Sequence, residues 1–218
     1  MLAPSTVKVL HGVVASIFKA AIKDRVVQAS PCDGTRLPKV DPRRVEPLTT
    51  GQVEALITAV PPRFRALILL GAGTGGRQGE AFGLSLDRVD FLRRTLRVDG
   101  QLQLVQNGAP YLAPPKTAKS HRTIPLPQIV LDALAAHLAE FPATPVPIRI
   151  GTPSGSVEEV CLLFTDARGR PLRRANFSAA VWRPAARAAG LEPGIGFHAP
   201  RHYYASLLIR SRRVREDR

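Results

Sequence analysis

Residues 73–84 read Gly73-Thr74-Gly75-Gly76-Arg77-Gln78-Gly79-Glu80-Ala81-Phe82-Gly83-Leu84. Ahead of them an apolar helical stretch, Phe64 to Ala72, runs into the cluster Gly71, Gly73, Gly75 and Gly76. Glycine lets a chain turn tightly there, and a single arginine, Arg77, leaves the turn. Glu80 follows three residues on, in a further helical stretch, so its carboxylate would hold the planar Arg77 guanidinium and face it toward an anion. The plainer reading is an exposed i,i+3 ion pair, worth roughly a few tenths of a kcal/mol.

Upstream, Val7, Leu10, Val14, Ile17, Phe18 and Ala21 recur at three and four residues, the period of an amphipathic helix, with Ser5 placed to cap its start. From Ser30 to Pro47 the chain carries Pro31, Pro38, Pro42, Pro47 and Gly34, which is linker chemistry, and a boundary near residue 47 follows. Thr49 and Gln52 form a capping box that opens a helix through Val53, Leu56, Ile57 and Val60.

Downstream, Arg88 to Thr123 changes period. Short apolar runs broken by Asp-Gly and Asn-Gly predict a small antiparallel sheet of three strands. Helices are expected again at Pro127–Glu140, Arg174–Ala189 and about Ala199–Val214. Pro142–Ser156 reads as a loop and Cys161–Phe164 as a short strand. The fold class is therefore mainly α with a small antiparallel β-sheet (α+β).

Three further stretches carry charge with chemical potential. Pro115-Lys116-Thr117-Ala118-Lys119-Ser120-His121-Arg122 is a basic turn between extended segments. Lysines there would reach phosphates, and a lysine among cations acquires a lowered pKa suited to proton donation; a solvated basic turn is the alternative. In Phe197-His198-Ala199-Pro200-Arg201-His202-Tyr203-Tyr204-Ala205-Ser206-Leu207-Leu208-Ile209, His198 and Arg201 at i,i+3 share one helix face. Pro200 fits only because it falls in the first turn. The alternative has His198 capping, Arg201 snorkelling and Tyr204, Leu207 and Leu208 in the core. The last nine residues contain five arginines, ordinarily a solvated, frayed end.

Composition narrows the partners. The 218 residues carry 31 Lys+Arg against 17 Asp+Glu, a net charge of +14, while 44% are hydrophobic and 22% charged, ordinary globular values. A folded cationic chain has a polyphosphate as its simplest partner, an anionic membrane surface being the competitor. No apolar run approaches the 18 to 20 or so residues of a membrane span, which excludes membrane spanning on this reading, and no secretory signal is visible, so a cytoplasmic location is expected. Cys32 and Cys161 stand in unrelated contexts, which predicts reduced thiols, with no disulfide framework, metal site or cofactor.

Taken together, an arginine with a downstream glutamate, a turn lysine and a His-x-x-Arg, in this order, resemble the catalytic domain of the tyrosine recombinases, the phage integrase family. The likeness runs from about Pro47 to Ile209. It implies that residues 47–218 are an integrase catalytic domain. Residues 1–46 would be a remnant of a SAM-like core-binding domain, one helix plus a linker. It further implies that Arg77, Lys116, His198 and Arg201 surround one scissile phosphate of double-stranded DNA, with Glu80 supporting. Lys119, Arg122, Arg173 and Arg174 would contact the DNA backbone. In such a site the two guanidiniums clamp nonbridging oxygens, Lys116 protonates the leaving 5′ oxygen and His198 assists, without a metal. A tyrosine phenolate then forms a covalent phosphotyrosine.

The chain departs from the family pattern. Gly76 replaces an apolar residue, Ala199 an acidic one and Pro200 an apolar one. The three tyrosines are Tyr111, Tyr203 and Tyr204, and after Ile209 there is no Tyr, His or Trp. Tyr204 sits where the family has a core aromatic. A chain short at both ends, without nucleophile or final His/Trp, is expected, so a catalytically defective DNA-binding protein. A partner protomer supplying the tyrosine is one variant. A noncatalytic module that occupies attachment sites or interferes with an intact recombinase is a second class. A basic RNA-binding protein is a third reading, though aromatics are only 6% and stacking platforms are sparse.

Overall fold

The computed structural model describes residues 2–40, 46–105, 108–115 and 120–216, with side chains as far as residue 211. The chain forms two compact units, Met1–Val45 and Glu46–Arg218. In the first, helix α1 spans Pro4–Lys23. Its N-cap is Ala3, without a side-chain cap bond, and Pro4 opens the first turn, so Ser5 lies inside the helix rather than capping it. The expectation about apolar runs needs a second correction. Although Lys8 and Lys19 interrupt the run, α1 is long and apolar enough, by length and composition, to cross a membrane. Counting uninterrupted residues misses a helix whose average is apolar.

The second unit begins with α2 (Thr50–Ala59), where the Thr49 and Gln52 capping box forms as expected. Helix α3 (Pro62–Thr74) follows, buried over most of its length, and then the short α4 (Gln78–Phe82). Five strands come next: β1 (Val89–Asp90), β2 (Thr95–Val98), β3 (Gln101–Leu104), β4 (Pro110–Ala113) and β5 (Arg122–Pro125). They are followed by α5 (Gln128–Glu140), β6 (Pro145–Ile150) and β7 (Val157–Cys161). A long helix then runs as α6 (Arg174–Phe177), a π-helical turn (Ser178–Trp182) and α7 (Arg183–Ala188). The ladder widens just before Pro184, whose ring lacks an N–H and would collide with the carbonyl four residues back. Helix α8 spans Ala199–Glu216.

The mainly helical α+β class stands, but the sheet differs from the single three-stranded one expected. The strands make two sheets, β1-β2-β5 and β3-β4-β6-β7, and β4 pairs with β6 in parallel. The segment read as a loop thus supplies β6, and the strand placed at Cys161–Phe164 lies earlier, at Val157–Cys161. Pro145 and Pro147 argue against a strand until the tertiary pairing is known. Gly151 N–H donates to the Leu112 carbonyl, so the odd positions of β6 face the β4 side, and β4 pairs only with Arg149 and Ile150. The donors that the two prolines lack would meet no strand.

One hydrophobic core fills this unit, and at its centre five aromatic rings interlock. Phe177 stacks edge-on against Phe64, Phe82 and Phe197 at 5.3, 5.1 and 5.5 Å, and Trp182 meets Phe197 at 5.3 Å. The Trp182 indole N–H donates to the Ile195 carbonyl at 2.8 Å, closing the loop that leads to Phe197. Against α4 lies strand β3, so close that a side chain at Gly83 would stand 2.7 Å from the Leu102 nitrogen. Leu207 and Leu208 of α8 are 38% and 49% exposed, so these two residues are not the core that the plainer reading of their stretch expected.

Candidate functional site

Arg77 is the residue before α4, at the point where the glycine turn meets the helix. Its backbone N–H donates to Glu80 Oε2 at 2.8 Å and its Nη1 to Glu80 Oε1 at 3.0 Å, leaving the rest of an exposed guanidinium facing out. Glu80 is buried and also receives the fork of Arg122 from β5, Nη1 to Oε1 at 3.1 Å and Nη2 to Oε2 at 2.7 Å. Burial alone would raise the Glu80 pKa, but the bonds from Arg122 and Arg77 outweigh it and hold the carboxyl below its ordinary value. It is a permanent anion at neutral pH.

Arg201 enters from α8. Its Nη1 donates to the carbonyl of Gly75 at 2.5 Å, which ties the second arginine to the turn that presents the first. Gly75 has φ 63, and a Cβ there would lie 2.5 Å from the ring of Tyr204, so glycine is required for both shape and space. Burial and the neighbouring charge of Arg77 lower the Arg201 pKa, though a guanidinium stays charged. His198, exposed on the cleft and next to the buried Phe197, has its pKa lowered by partial desolvation and then by Arg174, His202, Arg201 and Arg77. Its ring is held neutral by the cations around it.

Arg77, Glu80 and His198 border an open cleft of about 880 Å³ that Gln101, Gln103 and Arg174 also line; Arg201 is not on its walls. Lys116 and Lys119 lie outside the described residues, but Pro115 and Ser120, which flank their stretch, both line this cleft. Arg174 faces it from α6. Arg173 does not line it: its Nη2 donates to the Gly108 carbonyl at 3.2 Å and so pins the β3–β4 turn. Arg122 is spent on Glu80 and on the Ser120 carbonyl at 3.3 Å. The residues the sequence reading passed over are Gln101 and Gln103 of β3, which line the cleft while the Gln101 amide donates to the Pro114 carbonyl at 3.3 Å and Gln103 Oε1 accepts from Tyr111. Nothing local marks them, because the sheet's packing on α4 decides which face of β3 is open.

A second cleft, of about 820 Å³, lies between the sheets with Asp87, Asp99, Glu158 and Glu159 on its walls. Its carboxylates disfavour a polyphosphate, and Arg88 and Arg97 are already paired with Asp87 and Asp99. Among the described residues no group of three or more His, Cys, Asp or Glu could hold a metal ion.

The tyrosines occupy other positions. Tyr111 Oη donates to Gln103 Oε1 at 2.6 Å, and Tyr203 Oη shares a hydrogen bond with Thr50 Oγ1 at 3.1 Å. The half-buried Tyr204 ring packs on Gly75.

Fold and cleft together gather cationic side chains around one buried carboxylate on a helical scaffold, from the turn after α3, from β5 and from the start of α8. Residues 46–213 match the phage integrase family model, and the chain belongs to that family. Similar curated proteins include a tyrosine recombinase XerC-like protein of Caldanaerobacter subterraneus subsp. tengcongensis, 27% identical over 94% of this chain and 55% of its own. Another is tyrosine recombinase XerC 1 of Ralstonia nicotianae, 29% identical over 88% of this chain and 56% of its own. The chain thus spans about half the length of the curated relatives it matches. In fold it resembles the Tn1549 transposon integrase solved with transposon right end DNA. There the TM-score is 0.80 at 23% identity, covering 96% of this chain and 68% of that one. A lambda integrase dimer bound to a COC′ core site gives a TM-score of 0.61 at 18% identity, covering 94% and 66%.

Proposed function

We propose that these 218 residues bind duplex DNA by closing Arg77, Arg201 and His198 around one backbone phosphate, with Lys116 and Arg174 beside it. The observation that carries this reading is charge: Glu80 is the carboxylate that Arg77, Arg122 and Arg201 act on, and Arg77, Arg174 and Arg201 all act on His198. Such an excess of fixed positive charge needs an anion, and a phosphodiester oxygen pair matches guanidinium geometry. The DNA-bound state of the integrases that share this fold agrees with it.

Within the same reading, the cradle would stabilise the extra negative charge of a pentavalent phosphoryl transition state. Lys116 would protonate the 5′ oxygen, and His198 would accept or donate a hydrogen bond. The strand-cleaving tyrosine is not among these residues. Tyr111 and Tyr203 are hydrogen-bonded elsewhere, and the ring of Tyr204 is seated on Gly75. The 218 residues are therefore read as a DNA-binding portion of a recombinase site that cannot form the covalent intermediate alone. Residues 1–46 are read as the end of a core-binding domain and 47–218 as the catalytic domain.

Electrophoretic mobility shift on duplex DNA, beside a nicked suicide substrate, tests both halves. Binding should weaken steeply with salt, and Arg77→Ala and Arg201→Ala should each reduce the logarithmic salt slope by about one. A covalent adduct from these residues alone would overturn the missing nucleophile, and absent binding at low salt would overturn the DNA reading.

A further inference from the structure

We propose that Arg122 is a positioning residue of the cradle, not a DNA contact: it fixes the first arginine, Arg77, by saturating Glu80. The inference rests on the reading of the cleft as a phosphate cradle and assigns a role within it. The Glu80 carboxylate accepts four hydrogen bonds, two from the Arg122 fork and two from Arg77. A carboxylate offers about four lone-pair sites, so its capacity is filled. Its side chain is 8% exposed.

The division of the four bonds shows how the device works. Each Glu80 oxygen takes one Arg122 nitrogen and one Arg77 nitrogen: Oε1 the two Nη1 atoms, Oε2 the Arg122 Nη2 and the Arg77 backbone N–H. Glu80 comes from α4 and Arg122 from β5, 42 residues apart, so the fork bolts the helix that the first arginine precedes to the edge strand of the β1-β2-β5 sheet. The bidentate geometry sets the plane of the carboxylate, and that plane sets the direction in which Arg77 can donate. Arg122 also donates to the Ser120 carbonyl at 3.3 Å, directly after the segment that contains Lys116. One guanidinium thereby joins the Arg77 turn to the end of the lysine segment, two pieces remote in sequence. Three of the five Arg122 N–H donors are committed in these bonds, all on the terminal nitrogens that would form a fork with a phosphate.

A lysine in place of Arg122 separates the two roles, because it keeps the charge and loses the fork. For Arg122→Lys we expect duplex affinity to fall about tenfold, close to the loss from Arg77→Ala. The double variant should lose no more than either single one, since both remove the same contact. Wild-type-like affinity in Arg122→Lys, or losses that multiply in the double variant, would overturn the proposal. A readout without DNA uses the side-chain Nη1–H resonance of Arg77, the group that donates to Glu80, in the free protein. Its protection from exchange should disappear in Arg122→Lys and persist in Arg97→Lys; persistence in both would overturn the positioning role. Should Arg122→Lys not fold, Glu80→Gln, which removes the shared anion with little change of shape, is expected to give the same two losses, and its retention of Arg77 protection would overturn the proposal. If the wild type binds no duplex, the DNA reading fails, and the free-protein spectrum still decides what Arg122 does.

Discussion

The ring of Phe82 lies 5.8 Å from the ring of Phe197, at an interplanar angle of 59°. Phe82 follows Glu80 by two residues and Phe197 immediately precedes His198, so one apolar contact joins the two stretches that build the cradle. Phe177 touches both rings and carries α6, with Arg174, into the same arrangement. The polar groups are held from behind by a packed core, which is how exposed cations can keep a fixed geometry.

Phe197→Ala is expected to cost about 3 to 5 kcal/mol of stability, as a buried ring with three aromatic neighbours is removed. Chemical denaturation measures it. A loss below about 1 kcal/mol would show that the cluster does not hold the site.

Gly75→Ala should destabilise by about 1 to 3 kcal/mol and weaken DNA binding together. The new Cβ meets the Tyr204 ring at 2.5 Å in a left-handed backbone, so α8 must shift and carry Arg201 with it. Calorimetry with a binding titration checks both. Unchanged affinity in a folded variant would mean that Arg201 does not need the Gly75 turn.

DNA binding should take up a proton. His198 is neutral in the free protein because partial burial and the surrounding Arg174, His202, Arg201 and Arg77 lower its pKa, and a bound phosphate reverses that by favouring the cation. Affinity is therefore expected to rise as pH falls from 8 toward about 6, less so in His198→Gln. Titration calorimetry in buffers of different ionisation enthalpy would count the proton. An identical pH profile in the variant would refute the assignment.

His137 makes stability itself pH-dependent. Its Nε2 lies 2.8 Å from the Leu163 carbonyl, which only a protonated nitrogen can donate to, while Nδ1 is buried without a partner. Burial lowers its pKa below the ordinary 6.5, so the folded state prefers the neutral ring. The contribution is complete above about pH 6.5 and is lost as pH falls through the folded value. Thermal melts from pH 7.5 to 5 should show Tm falling, with a shallower fall in His137→Gln. Equal slopes in both proteins would contradict this.

Local chemistry in the sequence was enough for much of the fold. The Thr49–Gln52 box, the period of α3 and α5, and the glycine turn before Arg77 act through neighbours within a few residues, so the sequence carries them openly. Strand β6 was not legible, because two prolines forbid it by any local rule. It forms because β4, on that side, pairs only with Arg149 and Ile150, leaving no ladder partner beside the two prolines among the described residues. For α1 the reverse held: its period was plain, while its start fell at Pro4, behind an Ala3 N-cap, rather than behind the better capping residue Ser5.

Residue types and their order marked Arg77, Glu80, His198 and Arg201 as candidates for an anion, each with a plainer reading beside it, and the resemblance to the tyrosine recombinases joined them into one expected site. Tertiary structure decided what each cation does. Arg122, Arg173 and Arg174 look alike as basic residues on a line of sequence. In the folded chain one saturates Glu80, one pins the β3–β4 turn and one faces the cleft. A guanidinium's role depends on which acceptor stands within about 3 Å of it. That acceptor comes from a residue 42 positions away for Arg122 and 65 for Arg173, a distance no local pattern encodes.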